Sequence, residues 1–335
     1  MKLFSPEFVN LRDYNTERAR FFLLPQEKIA DIIFLFTKIF HTTNFSSSKI
    51  LQEERILKLI FLDIDGTLTA PGENTPPQSA VDAIAKAREK GHKVFLCTGR
   101  NPDMLRPLLR YQFDGFIGCA GGFVAVGENY DEILYDHPMT DSQRDVALKA
   151  LHNQGVFCTI EAEKGSWGDE NLGDFLSSQG EGNSEIERWR KALSANLGIK
   201  PMSQYDGSPI YKVVIMCTDM KQLDEAKAAL GDEFNFVMQE VKVGGSSSTC
   251  INGEIINKAF NKGLGVETIC RHYNVPISDT IGFGDSMNDL EMIQTVGFSV
   301  CMANGSEKLK SLSDMVCPSV SDDGLAKAFA KLKLI

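Results

Sequence analysis

Short apolar runs, each closed by small or acidic residues, set the rhythm of this chain. Ile56 to Leu62 is apolar except at Lys58 and stops at Asp63-Ile64-Asp65-Gly66-Thr67-Leu68. Such a run is short for a helix and suits a strand buried on both faces of a parallel sheet. Pro71-Gly72-Glu73-Asn74 reads as a turn. Pro76 and Pro77 then open a predicted helix with Val81, Ile84, Ala85 and Arg88 on one face and Gly91 closing it. Lys93–Cys97 is a second predicted strand, ending at Thr98-Gly99-Arg100, and a helix follows from Pro102 to about Tyr111. A third strand begins at Phe116-Ile117 and ends in Cys119-Ala120-Gly121-Gly122. Strand, helix, strand, helix, strand in this order implies right-handed crossovers and a parallel α/β sheet of the Rossmann-like kind.

The pattern changes near Pro138. The sequence predicts a helix from Asp141 to Asn153, a strand over Val156–Glu161, and a loop or mobile flap over the Gly-, Ser- and acid-rich stretch Glu163–Asn183. A helix over Ser184–Leu197, a strand over Ile210–Cys217, a helix over Lys221–Leu230 and a strand over Phe234–Gln239 complete a small α+β unit inserted into the first domain. The first domain resumes with a largely helical stretch over Ile256–Tyr273. A strand over Thr280–Phe283 then ends at Gly284-Asp285-Ser286-Met287-Asn288-Asp289. Helix at Leu290–Ile293, strands at Phe298–Cys301 and Met315–Cys317, and a helix over Gly324–Leu334 finish the chain. The expected organisation is an N-terminal extension over residues 1–55, a catalytic core over 56–138 plus 251–335, and a cap over 139–250.

In the extension, Lys28–Phe40 is strongly apolar but interrupted by charge, and Pro25 and Glu27 precede it. It reads as an appended helix or two and a polar linker at Thr42–Ser48, with self-association or docking to a partner or membrane surface as the functional alternative. No stretch reaches the ~18 apolar residues of a membrane span.

Composition narrows the class. The 335 residues, 43% hydrophobic and 24% charged, are ordinary for a soluble globular protein of two domains. A formal net charge of −10 disfavours nucleic acid as a partner, because phosphate backbones need clustered Lys and Arg. The eight cysteines form no CxxC pair and mostly lie within apolar runs. They read as buried free thiols in a reducing, cytoplasmic compartment.

The strand-like runs end at Asp63 and Asp65, at Thr98 and Arg100, and at Asp285, Asn288 and Asp289. In a parallel sheet these ends share one edge, where open α/β folds keep their ligands. Clustered carboxylates raise one another's pKa, and a divalent cation resolves the conflict. Oxygen donors without His or Cys point to Mg²⁺ rather than zinc. A metal beside a free carboxylate suits phosphoryl transfer, in which a carboxylate attacks phosphorus and a second one moves protons.

Asp63-Ile64-Asp65-Gly66-Thr67-Leu68, followed far downstream by Gly284-Asp285-Ser286-Met287-Asn288-Asp289, resembles the haloacid dehalogenase (HAD) superfamily. The insertion after the third strand, with Met302 and Asn304 after the last motif, resembles its Cof-type phosphatases, which carry a C2B cap. The resemblance covers about residues 56–335. It implies that Asp63 is the nucleophile and a metal ligand, and that Asp65 is the general acid/base with its backbone carbonyl on the metal. It further implies that Thr98 and Gly99 bind phosphate, that Lys262 steadies nucleophile and phosphate, and that Asp285 binds the metal with Asp289 in support. Asn288 and Asn304 are implied near metal or phosphate. The expected activity is a Mg²⁺-dependent phosphatase for small phosphorylated metabolites, most plausibly sugar phosphates, through an aspartyl-phosphate.

Blander readings exist for each residue. Asp285 and Asp289 could be a helix N-cap and a first-turn acid, Thr98 a turn hydroxyl, and Lys258 could stand in for Lys262. Arg100 could bind substrate or pair with an acid. The chain also departs from the Cof pattern at Ala120-Gly121, where an Asn-Gly step is common, and at Cys301-Met302-Ala303-Asn304-Gly305. A phosphomutase would need a cap cation cluster that residues 139–250 do not show. A non-catalytic metal-binding scaffold is the rival from another class.

Overall fold

In a computed structural model the structure describes residues 57–174, 198–242 and 249–335. The predicted N-terminal helices, the Ser184–Leu197 helix and the end of the predicted flap lie outside these residues.

The first run folds as strand β1 (Leu59–Leu62), whose four side chains are all buried. Ile60 and Leu62 enter one hydrophobic core and Leu59 and Phe61 the other, as the two-residue period of a strand requires. β1 lies between β2 (Lys93–Cys97) and β12 (Thr280–Gly284), parallel to both. β3 (Gly115–Gly118) continues the sheet beyond β2, and β13 (Phe298–Met302) and β14 (Met315–Cys317) continue it beyond β12, all parallel. Two further strands, β4 (Phe123–Val126) and β5 (Glu132–Asp136), extend it antiparallel, giving the order β14-β13-β12-β1-β2-β3-β4-β5. β4 and β5 have no counterpart among the predicted elements. They are short, and β5 is largely exposed with acids at both ends, as befits an edge.

Helices cover both faces. On one side lie α1 (Gln78–Glu89), α2 (Pro102–Leu109) and α8 (Gly324–Lys331); on the other lie α5 (Lys262–Tyr273), α6 (Leu290–Thr295) and α7 (Glu307–Leu312). The buried stripe of α1 is Ala80, Ala83, Ile84 and Ala87 rather than the Val81, Ile84, Ala85 and Arg88 face expected. Alanines let the helix approach the sheet closely, so the smaller residues turn inward.

Between β5 and β12 the chain builds a second sheet. After α3 (Asp141–Asn153) come β6 (Phe157–Ala162), β7 (Gly165–Gly168), β8 (Ile199–Pro201), β9 (Ile210–Cys217), α4 (Asp224–Leu230), β10 (Phe234–Lys242) and β11 (Thr249–Asn257), in the order β10-β11-β9-β6-β7-β8. It has its own core around Trp167, Val213 and Ile255. β7 occupies part of the predicted flap. β11 runs past residue 250 to Asn257, replacing the start of the predicted helix, because every residue from Thr249 to Asn257 pairs with β10. The helix α5 starts only at Lys262, where the Asn261 side chain accepts from the Leu264 N–H at 2.9 Å.

Phe61 is fully buried and stacks on Phe95 with ring centroids 5.3 Å apart. Phe61→Ala is expected to destabilise the fold by about 3–5 kcal/mol, read as a lowered denaturant midpoint in chemical unfolding.

Candidate active site

The carboxyl ends of β1, β2 and β12 meet beside the first residue of α5. Asp63 follows β1 directly and its N–H donates to the Phe283 carbonyl at 3.0 Å, which fixes the residue against β12. Its side chain is 4% exposed. The loop then folds tightly on itself, with Leu68 and Thr69 N–H groups donating to the Ile64 carbonyl. Gly66 sits at φ 90°, and a Cβ there would collide with the Asp285 carboxylate. Asn304 closes this loop: its amide donates to the Gly66 carbonyl at 2.8 Å and its oxygen accepts from the Val320 N–H at 3.2 Å. Both ends of the Asn304 side chain are thus engaged by backbone.

Lys262 is buried and bridges two carboxylates, Asp63 Oδ1 at 2.8 Å and Asp289 Oδ1 at 2.5 Å. An ammonium at the positive end of a helix is unfavourable by itself, so these acids are what hold it there. Burial works against its charge, yet Asp289 and Asp63 outweigh burial and hold its pKa well above the ordinary lysine range. The blander assignment of this role to exposed Lys258 fails on position.

Asp289 is fully buried. Its Oδ2 accepts from the N–H groups of Asp285 at 3.0 Å and Ser286 at 3.2 Å, while Oδ1 takes Lys262. It therefore caps the turn after β12 and anchors the lysine at once, with both oxygens engaged. Asn288 is exposed; its Oδ1 accepts from the Ser286 hydroxyl at 2.7 Å at the rim of the cavity.

Asp63, Asp285 and Asp289 offer carboxylate oxygens that all lie within 4.8 Å of one another. Three carboxylates against one ammonium leave two negative charges in a largely dry pocket. Burial first, and repulsion from Asp289 second, push the Asp63 carboxyl well above its usual range despite Lys262. The same two causes raise Asp285 to about 7. Asp285 Oδ1 is buried and meets no hydrogen-bond donor among the described residues. A surplus of two negative charges, all-oxygen donors and an orphaned carboxylate oxygen fit a divalent cation.

On the other side, Thr98 is buried at the end of β2 with its N–H on the Ile117 carbonyl at 2.8 Å. Gly99 follows in the cavity wall. Asp65 is gripped by Arg100, Nε to Oδ2 at 2.9 Å and Nη2 to Oδ1 at 2.7 Å. Of the two readings of Arg100, the acid-pairing one describes this structure. Several residues in or beside this cavity carry no motif in the sequence. Asn101, fully buried, donates to Ser166 Oγ at 3.0 Å and so ties the first sheet's loop to β7. Lys212 donates to the Gly99 carbonyl at 3.3 Å. Lys212 and Glu161 were detectable as lone charges inside apolar strands; Asn101 gave no signal.

Among the described residues no helix is long and apolar enough to cross a membrane, and the seven described cysteines are free and buried.

Comparison with known proteins fits this geometry. The sequence profile of haloacid dehalogenase-like hydrolases matches residues 60–329. YkrA of Bacillus subtilis, named provisionally as a phosphatase, is 28% identical over 83% of this chain and 98% of its own length. YwtE of the same organism, named a 5-amino-6-(5-phospho-D-ribitylamino)uracil phosphatase, is 26% identical over 81% of this chain and 96% of its own. The solved structure of a protein described as a HAD subclass IIB sugar phosphatase shares the fold, with a TM-score of 0.63 at 22% identity, covering 83% of this chain and all of that one. The chain belongs to the haloacid dehalogenase-like hydrolases and is an enzyme of their phosphatase type.

Proposed function

We propose that this chain is a Mg²⁺-dependent phosphatase that hydrolyses small phosphorylated metabolites, sugar phosphates foremost, through an aspartyl-phosphate on Asp63. The observation that carries this reading is the buried Asp63–Lys262–Asp289 bridge beside Asp285. It supplies a fixed carboxylate, a cation beside it, and a charge deficit suited to one metal ion. Asp63, Asp285 and the Asp65 backbone carbonyl would hold that ion, with Asp289 keeping Asp285 and Lys262 in place. When bound, Mg²⁺ neutralises charge on the phosphoryl oxygens.

The chain's own groups account for the rest. Lys262 aims Asp63 and, against burial and Asp289, favours its ionised form. An Asp63 oxygen attacks phosphorus while the bond from phosphorus to the leaving-group oxygen breaks, and that oxygen takes its proton from Asp65. Asp65, now a carboxylate, takes a proton from water as the water oxygen attacks phosphorus. The bond to Asp63 breaks, inorganic phosphate leaves and both acids return to their starting state. Thr98 and the Gly99 backbone bind the phosphoryl oxygens. The fork of Arg100 on Asp65 fixes where that carboxyl points. The inserted sheet is read as the cap, which sits over the site and excludes water. The free buried thiols support a reducing, cytoplasmic setting.

Asp63→Asn is expected to lower the rate of phosphate release roughly a thousandfold or more; a rate near that of the unmodified enzyme would remove Asp63 from the nucleophile's role. Metal binding is checked separately. Mg²⁺ at about 100 times its Kd should stabilise the unmodified protein by ~2.7 kcal/mol in thermal unfolding. Asp285→Asn should lose that response while melting higher than the unmodified protein without metal, since it removes one repelling charge. Lys262→Met leaves buried acids without their cation and should cost about 3–5 kcal/mol, read in the same unfolding experiment.

A further inference from the structure

Above the carboxylate cluster lies a cavity of about 210 Å³ walled by the strand ends of the first sheet and one face of the second. Three neighbouring strands, β11, β9 and β6, contribute Glu254, Lys212 and Glu161 to that wall. Glu161 is directly opposite Lys212, and Glu254 is opposite Val214, two residues along from Lys212. The two-residue period of a strand therefore puts all three side chains on one face. Lys212 Nζ lies 3.0 Å from Glu161 Oε2 and 2.8 Å from Glu254 Oε1, and donates to the Gly99 carbonyl at 3.3 Å.

An ammonium has three protons to donate, and here each has an acceptor. The other cation of this wall, Arg100, is committed to Asp65, to Asn74 Oδ1 at 2.6 Å and to the Glu73 carbonyl at 3.2 Å. Every cationic side chain among the described residues of the wall is thus already paired. The wall's own cluster carries one negative charge in excess. Each glutamate accepts one hydrogen bond from Lys212, out of the roughly four that a carboxylate can accept. Both therefore keep acceptor capacity toward the cavity, beside the buried hydroxyls of Thr159 and Ser166. Hydroxyl groups entering here find acceptors, whereas a second anion meets like charge with no unpaired cation to receive it.

We propose that Glu161 and Glu254, positioned by Lys212, are specificity residues that accept hydrogen bonds from hydroxyls of the phosphomonoester's leaving group and turn away leaving groups bearing a second anion. This rests on the phosphatase reading above and deepens it. The substrate class is a neutral, hydroxyl-rich monophosphate, and bisphosphates and phosphorylated acids are poor substrates. Lys212 also ties this reader to Gly99, so the group that recognises the hydroxyls and the loop that meets the phosphate move together.

The test compares kcat/KM for sorbitol 6-phosphate, 6-phosphogluconate and hexyl phosphate, with acetyl phosphate as a minimal substrate. The first two differ by one carboxylate, and the first and third by the hydroxyls. The unmodified enzyme should favour sorbitol 6-phosphate over each of the other two by about tenfold or more, since buried acceptors left unpaired and like charges brought together each cost at least that factor. E161Q and E254Q should each narrow the gap to 6-phosphogluconate several-fold, because either removes a repelling charge but keeps an acceptor oxygen. E254Q, at a partly exposed position, keeps the test open if E161Q does not fold. Equal use of sorbitol 6-phosphate and 6-phosphogluconate, or a gap unchanged in the folded variants, overturns the proposal. So does turnover of acetyl phosphate alone. No turnover of any of the four overturns the phosphatase reading itself and this inference with it.

Discussion

The bridge of Lys262 between Asp63 and Asp289 is the contact on which the site depends. It brings together residues separated by 199 and 27 positions in the chain, at 2.8 and 2.5 Å, inside protein that admits little water. Leaving either acid or the lysine there alone would cost several kcal/mol. The three are affordable only together, and together they still leave Asp285 and a net negative charge. A site with that imbalance is suited to receiving a divalent cation and an anion side by side, which is the problem phosphoryl transfer sets.

The fold serves this bridge in simple ways. β1 is buried on both faces, so it is fixed by two hydrophobic cores and delivers Asp63 to the sheet edge without freedom to shift. β12 delivers Asp285 from the neighbouring position, and the turn after it is capped by Asp289, the same group that anchors Lys262. Asn261 starts α5 one residue before Lys262, so a helix cap sets the height of the ammonium. Capping, strand burial and charge pairing each act locally, and the active geometry is where they coincide.

The parallel sheet and its acidic edge were legible in the sequence because strand period and strand-end chemistry are local signals. Asp63, Asp65, Thr98, Asp285 and Asp289 could be placed at one edge from the apolar runs before them. What escaped depended on contacts distant in the chain. The buried face of α1, with Ala80, Ala83 and Ala87 beside Ile84, lies one residue (about 100°) round from the expected one, since small side chains carry little hydrophobic weight in a pattern. β4 and β5 are short and follow Gly121 and Gly122, where no periodicity can build. Asn304 reads like a polar loop residue, and its bonds to Gly66 and Val320 have no local signature. Lys212, Glu161 and Glu254 come from three strands, and only the odd charge in an apolar run hinted at the first two.

The central claim is that the carboxylate surplus around Lys262 is the seat of one divalent cation shared by Asp63 and Asp285. Anomalous diffraction from crystals grown with Mn²⁺ tests it most directly. The account predicts one strong peak within ~2.0–2.6 Å of oxygens from both residues, with Lys262 still on Asp63 and Asp289. A peak elsewhere, or none at this edge with the ion in excess, would contradict it.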